Sequence, residues 1–95
     1  MHVISRRMLL EAVGRNASLS GPLDAWYRVA KSATWKNLIE VRRQFPSADA
    51  AGKYTVFNIK GNEYRLITEI YYVSQVVLAR AVLTHAEYDK EGWKK

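Results

Sequence analysis

The sequence predicts an α+β fold in which N-terminal helices pack on one face of an antiparallel sheet. Apolar residues recur at helical spacing through residues 1–45 and at every second position through residues 54–83. The dipeptide Gly61-Asn62 interrupts the second region and is typical of a tight hairpin turn. Because no repeat and no linker composition separates the two regions, we expect residues 1–95 to form a single domain.

The helical half begins with residues 1–4, which are partly β-branched and are predicted to form an edge strand. Ser5 suits the N-cap of a first helix, and Gly14 and Asn16 indicate where this helix ends. Its inner stripe consists of four residues: Met8, Leu9, Ala12 and Val13.

A second and a third helix follow. Pro22 fits the first turn of the second helix, whose residues at helical spacing are expected to face the core: Leu23, Trp26, Tyr27, Ala30 and Ala33. Asn37 and Glu40 form a capping-box pattern that predicts a third, short helix, which Pro46 ends. Residues 47–53 are small and polar, and are predicted to form a loop.

After this loop the sequence predicts three antiparallel strands, at residues 54–60, 63–73 and 76–83. If Gly61-Asn62 is a two-residue turn, Asn58 lies opposite Arg65. This register gathers an apolar set on one face, which we expect the helices to cover: Phe57, Ile59, Tyr64, Leu66 and Ile70.

The opposite face of the sheet is predicted to be partly open and to carry three cations: Lys60, Arg65 and Arg80. A second turn at residues 74–75 places Arg80 opposite Glu69 and Thr84 opposite Arg65. The functional interpretation is a basic surface beside the segment that begins at Thr84. The structural alternative is that these arginines are ordinary solvated residues of a sheet, with Arg80 paired to Glu69.

The segment Thr84-His85-Ala86-Glu87-Tyr88-Asp89 holds most of the acid–base chemistry of the chain. Thr84 and Glu87 form another capping-box pattern, so a short helix is predicted with His85 in its first turn and Tyr88 on the same side. The positive helix end and a nearby guanidinium favour a neutral imidazole, which accepts a proton. Either His85 or Tyr88 therefore qualifies as a general base for phosphodiester cleavage, although each alone is also an ordinary surface residue.

Composition narrows the function classes. The net charge of +6 and the sequence pI near 9.8 favour a polyanionic partner, with nucleic acid first and an acidic protein as the alternative. The absence of cysteine excludes disulfides and thiolate metal sites, and favours a reducing cytoplasm. Two distant histidines argue against a structural zinc. There is no apolar run of membrane-span length and no signal-peptide pattern.

Residues 54–67, Arg80 and residues 84–90 together resemble the HigB-type toxins of bacterial type II toxin–antitoxin modules, in the RelE/ParE superfamily. The resemblance implies a RelE/ParE-like microbial RNase fold. It also implies an mRNA interferase that cuts translated message on the ribosome, works without metal or cofactor, and acts in the cytoplasm. The implied partner is a HigA-like helix-turn-helix antitoxin, docked on the first two helices.

The resemblance also implies roles for individual residues. The implied catalytic residues are Lys60, Arg65, His85 and Tyr88. The resemblance implies that Arg80 also binds the scissile phosphate, and we expect further RNA contacts from Asn58, Arg42 and Arg43. Two alternatives stay open at this point: a ParE-like toxin that poisons DNA gyrase, and a nucleic-acid-binding module without catalysis.

Overall fold

The computed structural model describes residues 1–4, 6–90 and 92–94. The α-helices of this part of the chain are α1 (Arg6–Arg15), α2 (Ser20–Ser32), α3 (Leu38–Gln44) and α4 (His85–Asp89). Two short 3₁₀ helices, Ala17–Leu19 and Gly92–Lys94, follow α1 and α4. The N-cap predicted at Ser5 lies outside the described residues. Among the helices described, none combines the length and the apolar character that crossing a membrane requires.

The described strands form one sheet with the order β1-β5-β4-β3-β2: β1 (His2–Ile4), β2 (Asp49–Ala51), β3 (Tyr54–Ile59), β4 (Tyr64–Tyr71) and β5 (Val76–Thr84). β1 is an edge strand, as predicted, and runs parallel to β5, while the other neighbours are antiparallel. The prediction of a loop at residues 47–53 is wrong in part, because β2 pairs there with β3. The sequence Asp-Ala-Ala has little strand propensity, so this pairing is imposed by the available edge of β3.

The helices cover one face of the sheet, which confirms the α+β prediction. Leu9 and Ala12 of α1 and Trp26 of α2 are buried against the sheet residues Phe57 and Leu66. The rings of Trp26 and Phe57 meet edge to face with their centroids 5.5 Å apart. The face predicted to pack on the helices is therefore the one that does so.

The predicted N-cap of α3 at Asn37 is confirmed, the full capping box is not, and Pro46 follows the C-cap Phe45. The Asn37 side chain accepts a hydrogen bond from the backbone N–H of Glu40 at 3.0 Å. The Glu40 carboxylate accepts a hydrogen bond from the backbone N–H of Lys36 at 3.0 Å. In a capping box the donor would be the N–H of Asn37, one residue later.

The β3–β4 register is confirmed, with Asn58 opposite Arg65 and Val56 opposite Ile67. The loop between these strands has four residues rather than two, since β3 ends at Ile59 and β4 begins at Tyr64. Its backbone reverses through positive φ at Lys60 (54°) and Gly61 (64°).

The predicted β4–β5 register is wrong. Glu69 lies opposite Leu78, whereas Arg65 lies opposite Leu83, because the register shifts between Ile67 and Thr68. Thr68 pairs with Ala79 and Ile67 with Ala81, so Arg80 is the extra residue of a β-bulge. The sequence does not predict this bulge, because no glycine lies at it and a regular pairing of residues 76–83 is equally compatible with the apolar pattern.

Candidate active site

The last strand leads directly into α4, which begins with the predicted capping box. The Thr84 hydroxyl accepts a hydrogen bond from the N–H of Glu87 at 3.1 Å, and the Glu87 carboxylate accepts one from the N–H of Thr84 at 2.9 Å. The Thr84 backbone N–H, and after it the Thr84 hydroxyl, act as donors to the Glu87 carboxyl and hold its pKa below its usual range. The capping box therefore fixes where α4 starts and places His85 at the end of the sheet.

Arg65 of β4 is the anchor of the site. Only 8% of this residue is exposed, which contradicts the structural alternative of an ordinary solvated arginine. Its Nη1 donates to the carbonyl oxygens of Asn62 (3.0 Å) and Tyr64 (3.3 Å), and its Nη2 donates to Asn62 Oδ1 (2.9 Å). A buried guanidinium held by three acceptors has a fixed orientation, and one Nη2 hydrogen is left to point at α4.

His85 lies between Arg65 and a carboxylate of its own helix. Arg65 Nη2 is 3.0 Å from His85 Nδ1, and His85 Nε2 is 3.1 Å from Asp89 Oδ2. The imidazole side chain remains half exposed, with a fractional exposure of 51%. Sequence reasoning missed the contribution of Asp89, although its i+4 spacing from His85 on a helix was a usable signal.

Tyr88 lies on the same side of α4 as His85, as predicted, and its ring faces Arg65 with 5.5 Å between the guanidinium carbon and the ring centroid. Trp93 stacks on the ring of Tyr88 with centroids 5.0 Å apart, and also meets Tyr54 edge to face at 5.6 Å. The Trp93 Nε1–H donates to the Tyr88 carbonyl at 2.8 Å. Trp93 therefore holds Tyr88 in place, which sequence reasoning also missed.

The outer face of the sheet is consequently less open than predicted. Tyr54, Val56 and Ile67 form a small buried cluster there, and Tyr88 and Trp93 pack against it. The reason is that the residues after β5 fold back over this face instead of leaving it to solvent.

Lys60 does not share a surface with Arg65, and this prediction is wrong. Its Nζ lies 3.0 Å from Ser18 Oγ and 3.3 Å from the Glu63 carboxylate. Lys60 belongs to the loop rather than to β3, and its positive φ breaks the alternation of faces from which its position was inferred. The contact with Ser18 thus directs the Lys60 side chain toward the helical layer.

Arg80 lies on the outer side of the sheet but away from Arg65. Its Nε is 3.6 Å from the Glu69 carboxylate, which also pairs with Lys53 at 3.6 Å. Because Glu69 is four residues beyond Arg65 on β4, the two sites are separated by roughly 13 Å of strand. The pairing of Arg80 with Glu69 was predicted, and it arises from the bulge rather than from direct opposition.

The other predicted RNA-binding residues differ in position. Asn58 is the cross-strand partner of Arg65, and its Nδ2 is 3.5 Å from Asn62 Oδ1, so it belongs to the site. Arg42 and Arg43 are exposed in the last turn of α3. No contact described for them reaches Arg65 or His85.

A groove of about 590 Å³ lies beside this site, between α1 and the C-terminal half of β5. Arg80, Thr84 and Glu87 contribute to one wall, and Arg15 and Asn16 to the other. Within residues 1–4, 6–90 and 92–94, no group of three or more His, Cys, Asp or Glu side chains is arranged to hold a metal ion.

The arrangement combines the fixed guanidinium of Arg65, the imidazole of His85 with its Nδ1 beside that guanidinium, and the phenol ring of Tyr88 against the same guanidinium. A guanidinium binds a phosphoryl oxygen, and an imidazole exchanges a proton with a hydroxyl. This end of the sheet is thus equipped for proton transfer beside a bound phosphate, in a chain with a net charge of +6.

Comparison with known proteins identifies the family. Residues 19–91 match a family model described as HigB_toxin, RelE-like toxic component of a toxin–antitoxin system. The chain is 31% identical over 93 residues to the mRNA interferase HigB of Escherichia coli O6:H1, covering 95% of this chain and 90% of the relative. It is 32% identical over 92 residues to the mRNA interferase toxin HigB of E. coli K12 and to the mRNA interferase HigB of Shigella flexneri, covering 94% of this chain and 88% of each relative. The chain therefore belongs to the HigB toxin family, the RelE-like toxic components of toxin–antitoxin systems.

Proposed function

We propose that this chain is a ribosome-dependent endoribonuclease toxin that cleaves translated mRNA, and that residues 1–95 act as a single toxin domain. The observation that carries the proposal is the contact of Arg65 with both His85 and Tyr88 at one end of the sheet. The names of the curated relatives, mRNA interferases, support the same substrate.

The proposed reaction is attack of a ribose 2′-oxygen on the adjacent phosphorus. The bond between the 2′-oxygen and phosphorus forms, and the bond from phosphorus to the 5′-oxygen of the next nucleotide breaks. His85 takes the proton from the 2′-hydroxyl, and Tyr88 returns one to the leaving 5′-oxygen. The products are a 2′,3′-cyclic phosphate and a 5′-hydroxyl. The protonated His85 then returns a proton to the Tyr88 phenolate through solvent, so atoms and charge balance without an added reactant.

Arg65 supplies the electrostatic part of this mechanism. Charge develops on the phosphoryl oxygens in the transition state, and a fixed donor aimed at that charge contributes about 3–4 kcal/mol in comparable sites. Because Arg65 is held by Asn62 and Tyr64, little reorganisation is needed when the phosphate arrives.

Further contacts to RNA are proposed along the outer side of the sheet. Arg80, whose partner Glu69 lies about 13 Å from Arg65 along β4, suits a neighbouring phosphate rather than the scissile one. Asn58 lies beside Arg65 and is proposed to contact the same nucleotide as Arg65 does. The roles implied for Lys60, Arg42 and Arg43 stay predictions, and Lys60 needs to leave Ser18 to reach the phosphate.

A toxin of this kind requires a neutralising partner, which we propose to be a HigA-like helix-turn-helix antitoxin docked on α1 and α2. Leu10 of α1 is 57% exposed and Leu10 and Leu23 line a small groove between these helices. The proposed site of action is the cytoplasm, where the mRNA that the toxin cleaves is translated.

The function is tested by primer-extension mapping of message on translating ribosomes with wild-type protein and the variants His85→Ala and Arg65→Ala. The matched controls are His2→Ala, which removes the other histidine, and Arg28→Ala, which removes an exposed arginine of α2. We expect cleavage by the wild type and both controls, and loss of about 10²-fold or more in the two site variants. Equal cleavage by all five proteins contradicts the mechanism.

A further inference from the structure

The two contacts of His85 determine which of its nitrogens carries hydrogen. Arginine has only donors, so a 3.0 Å contact from Arg65 Nη2 requires a lone pair on His85 Nδ1. The hydrogen of the neutral ring is then on Nε2, which is 3.1 Å from Asp89 Oδ2, an acceptor. Both contacts select the same tautomer, because the Nδ1–H tautomer would place donor against donor at Arg65 and lone pair against carboxylate at Asp89.

We propose that Asp89 is a positioning residue that holds His85 in the Nε2–H tautomer, so that Nδ1 is the nitrogen that accepts the substrate proton. The proposal rests on the proposed ribonuclease function and adds to it the atom that acts and the residue that orients it. Asp89 contacts the imidazole, and we expect it to act through His85 rather than by contacting RNA.

The same geometry assigns a second task to Arg65. Its Nη2 hydrogen occupies the Nδ1 lone pair in the free protein, so the base is covered until a substrate binds. A phosphate is a stronger acceptor for a guanidinium than a neutral imidazole is, because both partners are then charged. When a phosphoryl oxygen takes this hydrogen bond, Nδ1 is released beside the bound phosphate, where the 2′-hydroxyl lies.

Asp89 therefore acts both before and after the proton moves from the 2′-hydroxyl to His85. Proton transfer to Nδ1 leaves an imidazolium whose Nε2–H still faces the Asp89 carboxylate. An opposite charge at this distance stabilises the charged ring, which forms during the reaction and is absent in the free state. Asp89 therefore lowers the barrier without binding the substrate.

The stability of the protein depends little on this pair, which makes the proposal testable. The side chains of His85 and Asp89 are 51% and 60% exposed, and exposed i,i+4 pairs contribute little to stability because solvent screens them. Variants at Asp89 are thus expected to fold. The capping box of Thr84 and Glu87, which does not include Asp89, keeps α4 in place.

The experiment records two-bond ¹H–¹⁵N correlation spectra of the full chain at a pH where both imidazoles are neutral. The chain has two histidines, so His2→Gln assigns the His85 signals. We expect the wild type to show the Nε2–H pattern, Asp89→Ala a mixture of both tautomers, and Asp89→Asn, which keeps an acceptor oxygen, an intermediate spectrum. An Nδ1–H pattern in the wild type, or an unchanged spectrum in Asp89→Ala, overturns the proposal.

Cleavage by the same proteins supplies the second readout. We expect Asp89→Ala to slow message cleavage about 10- to 100-fold, which is less than the ~10²–10⁴-fold typical for loss of a general base itself, with partial recovery in Asp89→Asn. The control is Asp49→Asn, which removes a negative charge from β2 at the far edge of the sheet. Cleavage by Asp89→Ala at the parent rate overturns the proposal. A wild type that does not cleave overturns the proposed function, and in that case the spectra still decide which tautomer Asp89 selects.

Discussion

Arg65 Nη2 and His85 Nδ1 lie 3.0 Å apart, and this contact joins β4 to the helix that follows β5. Arg65 is immobilised by backbone carbonyls of its own hairpin, and His85 is positioned by the cap of α4. Two segments 20 residues apart in sequence thereby place a cation and a proton acceptor at the same point.

The Thr84 cap positions His85, so its loss should reduce activity through the helix. Thr84→Ala removes a side-chain bond to the N–H of Glu87, and an N-cap of this type contributes about 0.5–2 kcal/mol to the free energy of unfolding. We expect a drop of that size in chemical denaturation together with slower cleavage of message. The matched control is Asn37→Ala, which removes the equivalent cap of α3 and should lower stability similarly while leaving cleavage near the parent rate.

Glu87 makes the stability of the protein depend on pH in a stated direction. Its pKa is lowered in the folded protein by the bonds from Thr84, whereas the unfolded chain has the usual pKa of a glutamate. The stabilisation by the carboxylate is therefore fully present above that value and is lost as the pH falls through the lower, folded pKa. Unfolding curves of wild type and Glu87→Gln should differ most near neutral pH and converge in acid; a gap that widens in acid contradicts this.

Trp93 is predicted to support the site although it lies beyond residues 19–91 of the family match. Its two ring contacts, with Tyr88 and Tyr54, at about 0.5–1.5 kcal/mol each, suggest a loss of roughly 1–3 kcal/mol in Trp93→Ala. Because Tyr88 then loses its stacking partner, cleavage should fall as well. Trp93→Phe keeps a ring at this position and should recover most of both properties. A Trp93→Ala protein with parent stability and activity would show that the stack is incidental.

Arg80 is predicted to bind the RNA backbone without taking part in the chemistry. Arg80→Ala should weaken RNA binding in equilibrium titrations and reduce the slope of log affinity against log salt by about 0.7–0.9, as loss of one phosphate contact does. Single-turnover cleavage at saturating protein should change much less. Arg28→Ala on the helical layer serves as the control for the lost charge. An unchanged salt slope in Arg80→Ala removes this residue from the RNA interface.

The parts of the fold that follow from local pattern were predictable from the sequence. The stripes of α1 and α2, the caps at Asn37 and Thr84, and the β3–β4 register each depend on residues that are close together in the chain. In such cases the spacing of apolar residues or the chemistry of a cap is sufficient. These elements were enough to bring His85 and Arg65 to one end of the sheet.

The parts that were missed depend on interactions that local pattern does not encode. The bulge at Arg80 arises because the pairing of β4 with β5 shifts register between the two halves of β4. The positive φ of Lys60 belongs to a four-residue loop, whereas the Gly61-Asn62 pattern predicted a loop of two residues. Trp93 returns to the sheet only because a distant apolar cluster is there to be covered. Such features are fixed by tertiary packing, which overrides local propensity.

The most direct test of the account is a double-mutant cycle on message cleavage by translating ribosomes, using wild type, Arg65→Ala, His85→Ala and the double variant. If Arg65 and His85 act as one unit, each single variant should lose about 10²-fold or more, and the double variant should be little slower than the slower single variant. Parent-rate cleavage by either single variant, or losses that multiply fully in the double variant, would contradict the claim that this contact is the centre of the active site.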